Sequence, residues 1–279
     1  LIRLAVRCGP DAAEAVLAEL LVLAPGGVEQ EDGPDWVEYA IYGAPGELPD
    51  LGAVQAMSGE QPIEVTSEEI PDDWADRWRD FHEPTAIAGG RVVIRPSWTA
   101  AADVEPAAGG LDIVVEPGQA FGTGAHPTTR MSLELLIELA DEGGGHGTLV
   151  DLGTGSGVLA IAAAKLGWGP VLAVDNELAA LDAARENAAA NGVELELARV
   201  NVREGLPPLA ETVVANLTAP LLGEVAGHMR GREDLTPRAL VCSGLLARER
   251  DEVVAAFCDL ELVSTRESGD WAAVRMAPR

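Results

Sequence analysis

The stretch Thr148-Leu-Val-Asp-Leu-Gly-Thr-Gly-Ser-Gly157 constrains this chain more than any other. An apolar run enters a glycine-rich turn, and 158–166 continues it with the composition of a buried helix. A strand, a glycine turn and a helix N-terminus form a cradle for part of a nucleotide-like ligand. A dinucleotide fingerprint needs glycine at the first, third and sixth positions. Counted from Gly153, the sixth position is Val158, so that pattern fails. Gly153, Gly155 and Gly157 alternate instead, with Asp151 two residues ahead of the first. A carboxylate there repels a pyrophosphate and suits a ligand with a positive end. S-adenosylmethionine, which carries an ammonium, a sulfonium and no phosphate, meets that requirement.

Downstream, apolar strand-like runs at 171–174, 195–200, 212–215 and 240–243 alternate with helical ones at 177–191, 221–229 and 246–257. Such alternation predicts an α/β fold with a doubly wound, Rossmann-like parallel sheet. The runs 260–266 and 271–276, separated by Glu267-Ser-Gly-Asp270, predict an antiparallel hairpin at its edge. Upstream, strand patterns at 2–7, 28–30, 36–42 and 63–66 frame helical ones at 11–23 and 48–57. This β-α-β-β-α-β order predicts a small α+β domain of ferredoxin-like type. It holds no catalytic cluster, so recognition or docking is its functional reading and a structural appendage the plain one. Trp74, Trp78 and Phe81 share one face of a short helix at 71–82, a linker packed on a domain. The expected division is therefore a recognition domain over 1–68, a linker helix over 69–83 and a catalytic domain over 84–279.

With 279 residues, 47% of them hydrophobic, the chain can bury one large or two modest cores. Its net charge of −27 argues against direct binding to nucleic acid, which rests on Lys and Arg. A basic partner would be attracted; general acidity, with Lys165 the sole lysine, is the alternative. Cys8, Cys242 and Cys258 lie far apart, with neither metal-ligand spacing nor a disulfide framework, which fits a reducing compartment. No apolar run reaches the ~18 residues a membrane span needs, and no charged leader with a cleavage site follows Leu1. The expectation is a cytoplasmic monomer with no metal and no membrane partner.

Candidate site residues cluster around the cradle. Pro117-Gly-Gln-Ala-Phe-Gly-Thr-Gly-Ala-His-Pro-Thr-Thr-Arg130 precedes an apolar helix, 131–139, with Pro127 suited to its first turn. Thr128 and Thr129 then fall at a helix N-terminus, where hydroxyls and free N–H groups can hold a carboxylate. Phe121 and His126 share that loop. Asp175 ends the second strand, 20 residues beyond Gly155, the spacing of a ribose-binding acid. Asn201 follows the third strand and could reach the adenine amino group. Asn216 follows the fourth, where an amide carbonyl can accept a hydrogen bond from an amine and aim its lone pair along a sulfur–methyl axis; capping the next helix is its structural alternative.

Phe121-Gly-Thr-Gly-Ala-His-Pro-Thr-Thr129, Asp151-Leu-Gly-Thr-Gly-Ser-Gly157 and Ala215-Asn-Leu217 together resemble the PrmA-type ribosomal protein methyltransferases. The Trp74 linker, Arg95-Pro-Ser-Trp98 and the small N-terminal domain match as well, so the resemblance spans nearly the whole chain. The glycine cradle alone indicates only a class I methyltransferase; the Phe-Gly-Thr-Gly run is the specific part. The resemblance implies that Thr129, Gly153, Asp175 and Asn216 contact S-adenosylmethionine. It also implies an N-terminal domain that holds the substrate, the basic eleventh protein of the large ribosomal subunit, for methylation at lysine side chains and the α-amino group. Ala125 and Leu217-Thr218-Ala219-Pro220 depart from the family's usual residues, the second beside the expected methyl-transfer site. The expected chemistry is direct displacement by an amine, with Asn216 and His126 as the catalytic candidates and His126 either a proton acceptor or a positional residue. The alternatives are a methyltransferase for another protein or a small molecule, and a cofactor-binding assembly module without catalysis.

Overall fold

The computed structural model describes residues 2–9, 12–13, 16, 20, 29–33, 35–43, 63–69, 83–116, 124–144, 147–232 and 236–279. The chain divides into two compact units, Leu1–Phe81 and His82–Arg279. The expected helix at 48–57, the linker helix at 71–82 and Phe121 lie outside the described residues.

In the first unit, β1 (Ile2–Cys8), β2 (Glu29–Asp32), β3 (Val37–Gly43) and β4 (Ile63–Glu69) form one sheet in the order β2-β3-β1-β4. Every neighbouring pair is antiparallel. Period-two alternation explains its two faces. Leu4, Val6 and Cys8 join Val37, Tyr39 and Ile41 in a core that Ala12 and Leu20 complete. On β1, Arg3 and Arg7 both reach Glu38 of β3, at 2.7 and 2.8 Å, and Arg7 also lies 4.0 Å over the Trp36 ring. Hydrogen bonding to Arg3, opposed by burial, holds the Glu38 carboxyl below its usual range.

In the second unit, β5 (Thr85–Ile87), β6 (Val92–Arg95) and β7 (Leu111–Val114) form a small sheet, antiparallel between β5 and β6 and parallel between β6 and β7. The main sheet follows. Its elements are α1 (Pro127–Leu139), β8 (Leu149–Leu152), α2 (Val158–Leu166), β9 (Val171–Asp175), α3 (Leu178–Ala190) and β10 (Glu196–Arg199). Then come β11 (Thr212–Asn216), α4 (Ala219–Met229), β12 (Ala239–Leu246), α5 (Arg250–Ala256), β13 (Leu260–Ser268) and β14 (Trp271–Pro278).

The seven strands run β10-β9-β8-β11-β12-β14-β13. The first five are parallel, and β14 is antiparallel to both β12 and β13. The expected edge hairpin therefore exists, but its second strand is inserted between β12 and β13, and only β13 forms the edge. Insertion lets the fully buried Ala272, Val274 and Met276 join the core rather than face solvent.

Alternate residues of each strand feed opposite faces. Leu149, Ala173, Val214, Val241 and Ala273 pack with α1 and α2, and the small sheet covers that cluster through Ile87, Ile94 and Ile113. Val150, Val174, Val213, Leu240 and Val274 pack with α4 and α5 on the other side. Because α2 is buried nearly all round, it carries no charge before Lys165, and Gly167 in the left-handed region ends it. No helix among the described residues is long and apolar enough to cross a membrane.

Candidate functional site

Strand order reverses between β8 and β11, and ligands bind outside the carboxyl ends of parallel strands at such a switch point. Of the predicted residues that the structure describes, Asp151 to Gly157 with Asp175, and His126 to Thr129 with Asn216, form two groups near it.

The cradle is the first. Gly153, Gly155 and Gly157 all have positive φ, 73°, 53° and 82°. The left-handed φ favours glycine at 153, and a Cβ there, 2.5 Å from Leu217 Cδ2, would also push that side chain aside. The N–H groups of Gly153 and Thr154 donate to Val174 O, each at 2.9 Å, which ties the turn to β9. Asp175 accepts from Gly155 N–H through Oδ2 at 3.0 Å and from Glu177 N–H through Oδ1 at 3.1 Å. Its carboxylate is thus fixed against the turn, with further acceptor capacity on both oxygens.

Asp151 is completely buried. Thr154 Oγ1 donates to its Oδ2 at 2.6 Å. Oδ1 has no hydrogen-bond partner among the described residues. Burial pushes the carboxyl up to about 7, against the opposing effects of the Thr154 hydroxyl and the Ala160 N–H at the start of α2; the Asp175 charge pushes the same way as burial. An orphaned buried carboxylate oxygen beside a glycine cradle is the fit expected for a cationic group such as the ammonium of S-adenosylmethionine.

The N-terminus of α1 is the second group. His126 caps the helix, with Thr128 N–H donating weakly to Nδ1 at 3.4 Å and Thr128 Oγ1 only 2.7 Å from the same nitrogen. The ring packs edge-on to Trp271 with centroids 5.0 Å apart, and burial pushes its pKa down. Thr129, fully buried, accepts from Asn216 Nδ2 at 3.4 Å. This turns the amide so that Oδ1 is left as an acceptor with no hydrogen-bond partner among the described residues. Asn216 does not cap the following helix: α4 starts from Thr218, with Pro220 in its first turn. Capping is thereby excluded as the explanation of Asn216.

Asn201 stands at the end of β10, where Val200 N–H donates to Asp175 O at 2.9 Å. Its own amide serves a local turn, with Nδ2 donating to Glu204 and Oδ1 accepting from Arg203 N–H.

Several supporting residues escape sequence reasoning. Ser243, aligned with Asn216 on the next strand, is 2.5 Å from Ser132 of α1, and Ser132 Oγ donates to Thr128 O at 3.0 Å. This buried chain ties the α1 N-terminus to β12. Gly244 follows at a bulge, with φ 82°, and a Cβ there would lie 2.5 Å from Leu217 O. The available signal was Ser-Gly interrupting an apolar strand. Asn187, buried on α3 between Ala184 and Ala188, carried a weaker one. Among the described residues no group of His, Cys, Asp and Glu could hold a metal.

The profile of the family "Ribosomal protein L11 methyltransferase (PrmA)" matches residues 49–278. A protein so named from Symbiobacterium thermophilum is 32% identical over 96% of both chains. Another from Citrifermentans bemidjiense is 41% identical over 72% of this chain and 65% of its own. Among solved structures, a ribosomal protein L11 methylase from Lactobacillus delbrueckii subsp. bulgaricus superposes with a TM-score of 0.58 at 30% identity, covering 68% of this chain and 95% of that one. Cradle, switch point and sequence agree, and the chain belongs to the ribosomal protein L11 methyltransferase (PrmA) family.

Proposed function

We propose that the chain transfers methyl groups from S-adenosylmethionine to amines of ribosomal protein L11, at lysine side chains, the α-amino group or both. The observation that carries this is the Asn216 amide at the end of β11, held by Thr129 and connected through Leu217 to the cradle that contains Asp151. Asp151 would take the cofactor's ammonium, the backbone of Gly153–Gly157 its methionine end, and Thr128 and Thr129 its carboxylate. Asp175 would accept from the ribose hydroxyls, Asn201 would reach the adenine and Phe121 would complete the pocket. When bound, the cofactor supplies a methyl on a sulfonium leaving group.

The chain's own residues then bind, orient and desolvate. Asn216 Oδ1 accepts from the incoming amine and directs its lone pair. A lysine, with a reference pKa of about 10.4, must lose its proton first, and desolvation at the site lowers that barrier. Because the Nδ1 of His126 already serves the α1 cap, its geometry favours positioning over proton acceptance. The order β2-β3-β1-β4 supports a ferredoxin-like domain over 1–68, which would hold the substrate, with 69–83 as linker and 84–279 as the catalytic part.

Incubation with methyl-labelled S-adenosylmethionine and purified L11 is expected to label L11. Cofactor binding without label in L11 would favour a different acceptor or an assembly role. Absence of cofactor binding would overturn the enzyme reading altogether.

A further inference from the structure

We infer that Asn187 is a positioning residue for cofactor binding, a buried side chain that bridges the backbone at Glu116 to the glycine cradle at Ser156. Asn187 lies on α3, 1% exposed. Its Oδ1 accepts from Glu116 N–H at 3.0 Å, and its Nδ2 donates to Ser156 O at 2.8 Å. These partners fix the amide orientation, because an N–H requires the oxygen and a carbonyl requires the nitrogen. Ser156 lies between two cradle glycines, and Glu116 follows β7 on the chain segment that leads to His126, the N-cap of α1.

The neighbouring contacts separate this role from simple packing. One turn later, Asn191 grips the same segment, accepting from Val114 N–H at 2.9 Å and donating to Val114 O at 2.6 Å. Asn191 thus extends the edge of β7 as a strand would, but among the described residues its side-chain hydrogen bonds go to Val114 and Asn187 and none to the cradle. Ahead of Asn187, Ala184 abuts the cradle directly: a Cβ on Gly157 would lie 3.0 Å from its Cα. α3 therefore presses on the cradle at Ala184 and holds it by a hydrogen bond at Asn187. Without that bond, the Ser156 carbonyl loses a buried donor, and the cradle turn loses one of the holds on its geometry beside those to Val174 and Asp175.

The inference rests on the assignment of the cradle to S-adenosylmethionine. Asn187→Ala is expected to raise the cofactor KM by about tenfold while kcat for L11 methylation stays within about threefold, because bound cofactor restores the cradle. Asn191→Ala, which loses a comparable grip on the same segment, is expected to lower Tm and leave the cofactor KM within about twofold. Amide hydrogen exchange is expected to rise at 155–158 in the first variant only. Equal effects of the two variants on KM, or none from Asn187→Ala, would overturn the inference. If Asn187→Ala does not fold, Asn187→Asp carries the same comparison, since its carboxylate keeps the acceptor for Glu116 N–H and removes the donor to Ser156 O. Asp175→Ala separates the outcomes: unchanged cofactor binding there means that the cradle assignment itself has failed.

Discussion

Buried without a counter-charge, Asp151 holds its proton up to about pH 7, whereas in the unfolded chain it ionises near 3.8. Between those values the folded state binds the extra proton, so the contribution of Asp151 to stability is fullest below pH 3.8 and is lost as pH rises toward 7. A cation at Oδ1 favours the ionised form, which reverses the dependence for binding. Affinity for S-adenosylmethionine is therefore expected to strengthen as pH rises between about 6 and 8, with proton release visible by calorimetry in buffers of different ionisation enthalpy. Asp151→Asn should weaken binding and flatten that profile; a wild-type affinity independent of pH would place the ammonium elsewhere. Asp175, proposed to hold the ribose, makes a different prediction, because Gly155 and Glu177 N–H fix its carboxylate at the end of β9. Asp175→Ala should weaken cofactor binding by at least about tenfold, measured by titration, since ribose hydroxyls lose a charged acceptor.

At the scale of elements, the β12 bulge sets the shape of the crevice beside Asn216, the proposed methyl-transfer end. Gly244 combines a left-handed φ with a backbone oxygen, Leu217 O, 2.5 Å from where a Cβ would stand. Leu217 in turn packs over Gly153 and follows Asn216. Gly244→Ala should cost about 2 kcal/mol or more of stability and, by displacing Leu217, lower kcat; Gly269→Ala, at φ 57° in open space, should cost only about 1 kcal/mol with kcat intact. Thermal melts and initial rates distinguish the two. The difference also shows what was legible in advance. The parallel strands β8, β9 and β11 are short apolar runs bounded by turn residues, so their positions follow from composition alone. The turn chemistry of Gly153–Gly157 and the Pro127 helix start are local as well. The insertion of β14 beside β12, the Ser132–Ser243 contact across 111 residues and the Asn187 bridge across 71 depend on long-range register, which no local pattern encodes. β5, three residues long, is too short to carry a pattern.

Across the whole molecule, charge is the property that local geometry does not explain. Many of the arginines are already engaged: Arg266 and Arg275 face the row of Glu134, Glu138 and Glu142 along α1 and its continuation, and Arg95 is paired with Asp112. Such pairs neutralise part of the positive charge locally and leave the net −27 as a long-range field. General acidity and attraction of a basic substrate predict different behaviour in salt. A field that only solubilises the chain would leave substrate kinetics insensitive to ionic strength. A field that steers a basic protein raises its association rate, and screening removes that gain once the Debye length falls to about 10 Å or less near 0.1 M salt. On the proposed function, kcat/KM for L11 should therefore fall severalfold between about 20 and 300 mM salt, while kcat at saturating L11 and the KM for cofactor change little. Steady-state rates at several L11 concentrations across that range test this directly. A flat kcat/KM would assign the acidity to the solubility of the chain and leave recognition of L11 to shape and hydrogen bonding.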